Sequence, residues 1–183
     1  MSKKLISSLK KKLKGINLNE IVDVFLFGSA VKGKEFPHDL DICIVFRKKI
    51  ISEIAYEIES RLKEYSVHIS TLVVDNFFMK NHSLAKTLFV EGVSILTGRQ
   101  FIESFGFKSY SLYTYDLSKL GASKKVQFVQ LLKGRNTEGI VKRNGGEWIV
   151  DRCFIMPVSK DSEMLIIFKK WEVPYKKMEA LIH

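Results

Sequence analysis

Long hydrophobic runs are missing from this 183-residue sequence. The longest apolar stretches, "IVDVFLFG" (21–28) and "ICIVF" (42–46), fall far short of the ~20 residues that a membrane-spanning helix needs. Cysteine is scarce as well. Cys43 and Cys153 stand far apart, and Cys43 lies within an apolar run, as a buried reduced thiol would. The opening "MSKKLISSLKKKLKG" is basic but lacks an apolar h-region and a small-residue cleavage site, so no secretory signal is expected. A cytoplasmic location follows as an expectation, and the Asn81-His82-Ser83 sequon is then irrelevant. Acidic residues are in deficit, 20 against 30 Lys+Arg, for a net charge of +10. The excess is +4 over residues 1–104 and +6 over 105–183. Such a surplus suits nucleic acid, nucleotides or another polyanion as partner; the bland alternative is a solvated basic surface.

The length allows one domain plus a smaller unit, or one larger domain. Leu5, Ile6, Leu9 and Leu13 mark one face of a short lysine-covered helix, with Gly15 as its C-cap. Strands are expected at 20–27, 40–46 and 66–74, a helix at 51–65, a second at roughly 76–91, and a short edge strand within 92–96. The residues after about 98 change character. The tyrosine-rich "YSLYTYDLSKL" (110–120) precedes an amphipathic basic helix at 123–135. In 139–157, Asn144-Gly145-Gly146 offers positive-φ residues between two strand-like runs, so a hairpin turning there is expected. A last helix is expected at 160–171. The fold class is therefore α/β, a mixed sheet with flanking helices over 1–104, plus a smaller basic α+β domain over 105–183.

Within "FGSAVKGKEFPHDLDICIVF" (27–46), Asp39 and Asp41 stand one residue apart at the head of a strand, where acidic residues are ordinarily depleted. Side chains at i and i+2 share a face, so the two carboxylates stand side by side. Two like charges so close call for a counter-charge, and an oxygen-only pair suits Mg²⁺ or Mn²⁺ held alongside substrate phosphates. Gly28-Ser29, where a strand enters a turn, offers backbone N–H groups and a hydroxyl to an anion. Together these are the minimal equipment for phosphoryl or nucleotidyl transfer.

This stretch resembles the Gly-Ser…Asp-x-Asp signature of the DNA polymerase beta-like nucleotidyltransferase superfamily, its small members above all. The similarity runs over roughly residues 18–100, through "SLAKTLFVEGVSILTG" (83–98), where a helix ending in Glu-Gly leads into a short strand. The resemblance implies that Gly28 and Ser29 contact the nucleoside triphosphate and that Asp39 and Asp41 hold the metals carrying it. The family's third carboxylate, on the strand after the intervening helix, falls here at His68, with Ser70 its neighbour on the same face. Three readings stay open: His68 as substitute base, Asp75 or another carboxylate filling in, or a site that binds nucleotide with weakened catalysis.

Lys32 and Lys34 lie in the glycine loop, where they either touch phosphates or simply face water; His38 reads as an exposed loop residue. Trp148 and Trp171 read as core anchors, and Tyr110, Tyr113 and Tyr115 as stacking platforms or packing residues. The expected activity is metal-dependent transfer of NMP from an NTP to an acceptor hydroxyl, with nucleic acid as a partner of the basic C-terminal part and the N-terminal lysines. The alternative is a nucleotidyltransferase-fold protein of weakened catalysis that acts as a nucleic-acid-binding or antitoxin-like module.

Overall fold

The computed structural model describes residues 3–33, 39–77 and 82–183. Lys34, His38 and Asn81 lie outside the described residues. The chain divides into two compact units, 1–107 and 108–183.

The first unit runs α1 (Lys3–Lys12), β1 (Ile21–Phe27), a 3-10 turn (Gly28–Ala30), β2 (Leu40–Phe46), α2 (Ser52–Arg61), β3 (Val67–Val73), a 3-10 turn (Val74–Asn76), α3 (His82–Glu91), β4 (Val93–Ser94) and a last 3-10 turn (Phe101–Phe105). Its sheet has the order β3-β2-β1-β4; β2 and β3 are parallel, and the other pairs antiparallel. The parallel pair follows from the α2 crossover that joins its strands. Strand alternation then sorts the apolar side chains to two faces. Val24, Leu26, Ile42, Ile44 and Phe46 pack with Leu9 of α1 and Leu13 just after it, and with Ile58 of α2 and Leu62 just after that helix. Phe25, Cys43, Val45 and Leu72 pack with Ala85 and Leu88 of α3 and with Phe77. Both faces being covered, β2 reads as a nearly unbroken apolar run, as central strands of such sheets do. Gly15, at φ +88°, ends the first helical segment, and the Arg61 guanidinium donates to the Lys14 carbonyl at 2.6 Å.

The second unit runs β5 (Lys108–Tyr115), α4 (Ala122–Lys133), α5 (Ile140–Arg143), β6 (Glu147–Val150), β7 (Cys153–Pro157), α6 (Asp161–Lys170) and β8 (Tyr175–Ile182). Its all-antiparallel sheet has the order β6-β7-β5-β8. This is the split β-α-β arrangement, with the short α5 added after the first helix. Tyr113, Phe154 and Phe168 form its aromatic centre; Tyr113 stacks on Phe154 with ring centroids 5.5 Å apart. Trp148 and Trp171 pack against this core, as expected of anchors, and Lys133 lies over the Trp148 ring at 4.8 Å. One polar group is built in. Asp161 is fully buried at the start of α6, where the helix dipole favours its charge. Tyr113 Oη donates to its Oδ1 at 2.8 Å, and the Lys177 ammonium pairs with its Oδ2.

Three local expectations change. The hairpin turns at Asp151-Arg152, with Arg152 at φ +58°, and not at Asn144-Gly145-Gly146. Residues 140–143 form a helical turn that those glycines terminate: Gly146 N–H reaches the Val141 carbonyl at 2.9 Å. Of the helix expected at 76–91, His82–Glu91 is helical, and Val74–Asn76 is a separate 3-10 turn. The tyrosine-rich stretch is strand β5, with Tyr113 and Tyr115 buried in the core and Tyr110 on the opposite face.

Burial pushes the Cys43 thiol up to about 12 from its ordinary 9.0. A raised value means that Cys43 contributes stability in full below pH 9 and loses it as the pH climbs towards 12. A disulfide reagent at pH 8 is expected to titrate no more than one thiol in the native chain, Cys153, and both after denaturation. Rapid labelling of Cys43 in the native chain would contradict the packing of β2.

Candidate functional site

The register of β2 builds the site. Asp41 stands opposite Phe27 of β1 and beside His68 of β3, and Asp39 immediately precedes the strand. Because Cys43 and Val45 point to the α3 side, so do Asp41 and Asp39, two and four residues earlier. Sequence parity alone places Ser70 on that face of β3 too, beside Cys43. His68 Nδ1 lies 3.5 Å from Asp39 Oδ2 and 3.8 Å from Asp41 Oδ1, close approaches longer than good hydrogen bonds. All three side chains reach solvent, with exposures of 42, 34 and 69% for Asp39, Asp41 and His68.

Gly28 closes the opposite wall. It takes φ +72°, and a Cβ built there would run into the Asp41 carboxylate, so only glycine fits both the backbone and the neighbour. The following residues form one 3-10 turn. Val31 N–H and Lys32 N–H both reach the Gly28 carbonyl, at 3.2 and 3.3 Å, and half-buried Ser29 lies in the first turn. Gly28, Asp39, Asp41 and His68 thus gather at one end of the sheet, with Ser29 next to Gly28 in the chain.

Asp75 is not part of this group. It is exposed, past the far end of β3, seven residues from His68 and roughly 20 Å along the strand direction. Lys32 is tied elsewhere: its ammonium meets the buried Glu91 at the end of α3 at 2.7 Å. The Glu91 partner went unread in the sequence, where only the Glu-Gly step stood out.

Among the described residues, no group of three or more His, Cys, Asp or Glu side chains is gathered as a cage for a metal ion. Two solvent-reaching carboxylates are instead the donor set of a hydrated divalent ion, which keeps several waters and takes further oxygens from phosphates. The Asp39–Asp41 pair, with Gly28 leaving room only for the carboxylate, fits such an ion. Imidazole suits Mg²⁺ poorly, so His68 stands beside the pair rather than within the donor set.

A second carboxylate was not singled out from the sequence. Asp23, on β1, accepts from Ser94 Oγ at 2.9 Å and from the Val24 N–H at 2.7 Å. It borders a cavity of about 420 Å³ that Phe25, Arg99 and Phe101 also line. Burial holds its carboxyl above the usual range, against the pull of these two hydrogen bonds.

A family model described as Polymerase beta, Nucleotidyltransferase matches residues 3–100, more than half of the chain. The protein belongs to this family of nucleotidyltransferases. No curated protein sequence matches the chain significantly. No helix among the described residues is long and apolar enough to cross a membrane.

Two outcomes test these assignments. Gly28→Ala forces a side chain into the left-handed region, at about 1–2 kcal/mol, and also against Asp41. A lower melting temperature is expected, and an unchanged one would show that the turn relaxes freely. For Asp23, a raised value means that its contribution is present in full below pH 3.8 and lost as the pH rises through the folded value. Asp23→Asn, uncharged throughout, is therefore expected to be more stable than wild type to urea at pH 7, with the gap closing below pH 4.

Proposed function

We propose that this chain is a metal-dependent nucleotidyltransferase that moves NMP from an NTP to an acceptor hydroxyl, with nucleic acid as the acceptor. The observation carrying this reading is the Asp39–Asp41 pair at the head of β2, with Gly28 against Asp41. Asp39 and Asp41 would hold Mg²⁺ or Mn²⁺. The bound ion supplies charge neutralisation of the triphosphate and of the charge that develops on the transferred phosphorus.

The chain's own residues do the rest. Gly28 presents backbone to the phosphates without a side chain in the way, and Ser29 offers a hydroxyl from the same turn. His68 turns Nδ1 towards the carboxylates, which leaves Nε2 facing outward as an acceptor. The acceptor hydroxyl passes its proton to Nε2 as its oxygen bonds to the α-phosphorus; the bond from that phosphorus to the bridging oxygen breaks, and pyrophosphate leaves. The basic second unit, with Lys124, Lys125, Lys133 and Arg135 on or just after α4, would meet the phosphates of the acceptor strand. The cytoplasm, where NTPs and Mg²⁺ are plentiful, is the compartment this reading suits.

One observation favours a second reading. The residue in register with Asp41 is His68, and among the described residues no third carboxylate joins the pair. A chain so equipped would bind nucleotide or nucleic acid with weakened turnover, as a binding module or as an antitoxin-like partner of another protein.

The experiment is incubation with labelled NTPs and Mg²⁺ against RNA, protein and small-molecule acceptors. Transfer is expected, falling by about 10²–10³ in Asp39→Asn and Asp41→Asn and by about 10²–10⁴ in His68→Asn. No transfer to any acceptor, with salt-dependent RNA binding that survives Asp39→Ala, would overturn the first reading in favour of the second.

A further inference from the structure

We propose that the outer edge of β8 pairs with β8 of a second copy of this chain, antiparallel about a two-fold axis at Met178, to make one continuous eight-stranded sheet. β8 ends its sheet, so its outer row of N–H and C=O groups has no strand partner among the described residues. Long exposed edges of this kind template strand addition unless something blunts them. Four of the eight residues, Tyr175, Met178, Leu181 and Ile182, are large apolar side chains exposed by 41, 61, 42 and 37%. Met178 and Ile182 share one face of the strand and Tyr175 and Leu181 the other, so each face of the edge carries a pair of exposed apolar side chains.

The sequence of the strand, YKKMEALI, specifies the occupant. A two-fold axis that keeps the helices of both copies on one side of the joined sheet must pass through a residue of β8, because opposite residues share a face. Placed at Met178, the axis sets Lys177 opposite Glu179 of the second copy, twice. Tyr175 falls opposite Leu181, also twice, Lys176 opposite Ala180, and Met178 opposite itself. Every cross-strand pair is then of opposite charge, apolar, or a lysine stem over a methyl group. Moving the axis to Lys177 or to Glu179 sets that charged residue opposite its own copy, which is unfavourable. Only Met178 as centre joins Lys177 to Glu179. The Lys177 ammonium, which pairs with Asp161 within its own chain, carries three N–H donors, so the second carboxylate adds to that contact.

Light scattering on the full chain over a concentration series tests the proposal independently of any transferase activity. A dimer is expected. Glu179→Lys, which turns both ion pairs into repulsions, and Met178→Lys, which sets two ammonium groups at the axis, are each expected to give a monomer with the wild-type circular dichroism spectrum. Both sites are exposed, so a folding failure in one leaves the other as the test. In a Cys153→Ser background, Met178→Cys is expected to cross-link to itself under mild oxidation. Lys176→Cys is not, since its copies would stand roughly 13 Å apart. A wild-type chain that stays monomeric, a Glu179→Lys variant that stays dimeric, or equal cross-linking of the two cysteine variants would overturn the proposal.

Discussion

The pairing of β2 with both of its neighbours is the constraint on which the first unit depends. Seven residues are held between an antiparallel partner and a parallel one, and side-chain parity leaves no freedom to slip. A shift by one residue would turn Ile42, Ile44 and Phe46 away from α1 and α2 and drive Asp41 into the core beneath them. The apolar residues of β2 thus fix where the carboxylates stand. The hydrophobic effect sets the register, and the register presents Asp39, Asp41 and His68 together at the solvent-reaching end of the α3 face.

Gly28 shows how tight that presentation is. The turn after β1 comes so near Asp41 that no side chain fits between them. The close approach of the Gly28 backbone limits where the Asp41 carboxylate can turn, and preorganisation of this kind is what charge-stabilising sites require. The second unit uses a different device. Its one fully buried charge, Asp161, is met by a hydroxyl from β5 and an ammonium from β8, so that a polar cluster joins a helix start to two strands. Removing a single partner from such a cluster leaves a charge without compensation, which costs more than the intact pair contributes.

Much of this was legible in the sequence. Alternation and β-branching marked β1, β2 and β3, and the i, i+2 spacing of the aspartates gave their shared face directly. The family resemblance, rather than the spacing, pointed to His68 as their neighbour, at the position of the third carboxylate. What stayed hidden depended on tertiary context. β8 reads poorly as a strand because Lys, Glu and Ala are depleted in sheets; it forms because β5 offers eight residues to pair with and Asp161 captures Lys177. The Asn144-Gly145-Gly146 signal was real turn chemistry in the wrong role: it ends a helical turn, while the hairpin closes on Asp151-Arg152. Glu91 and Asp23 escaped because their partners, Lys32 and Ser94, lie 59 and 71 residues away in the chain.

The order of strands in the second unit carries a kinetic consequence. β5 opens the unit and β8 closes it, yet they lie side by side, with Lys108 opposite Ile182. The hydrogen bonds of that pair cannot form until almost the whole unit has left the ribosome, whereas the first unit is already complete by then. Long-range pairing of this kind slows folding and leaves β5, with its row of tyrosines, waiting for its neighbour. A nascent chain stalled anywhere before β8 would hold Asp161 without its lysine and β5 without its edge. Such a chain is a natural substrate for chaperones and quality-control proteases, even while its nucleotidyltransferase-family unit is fully formed.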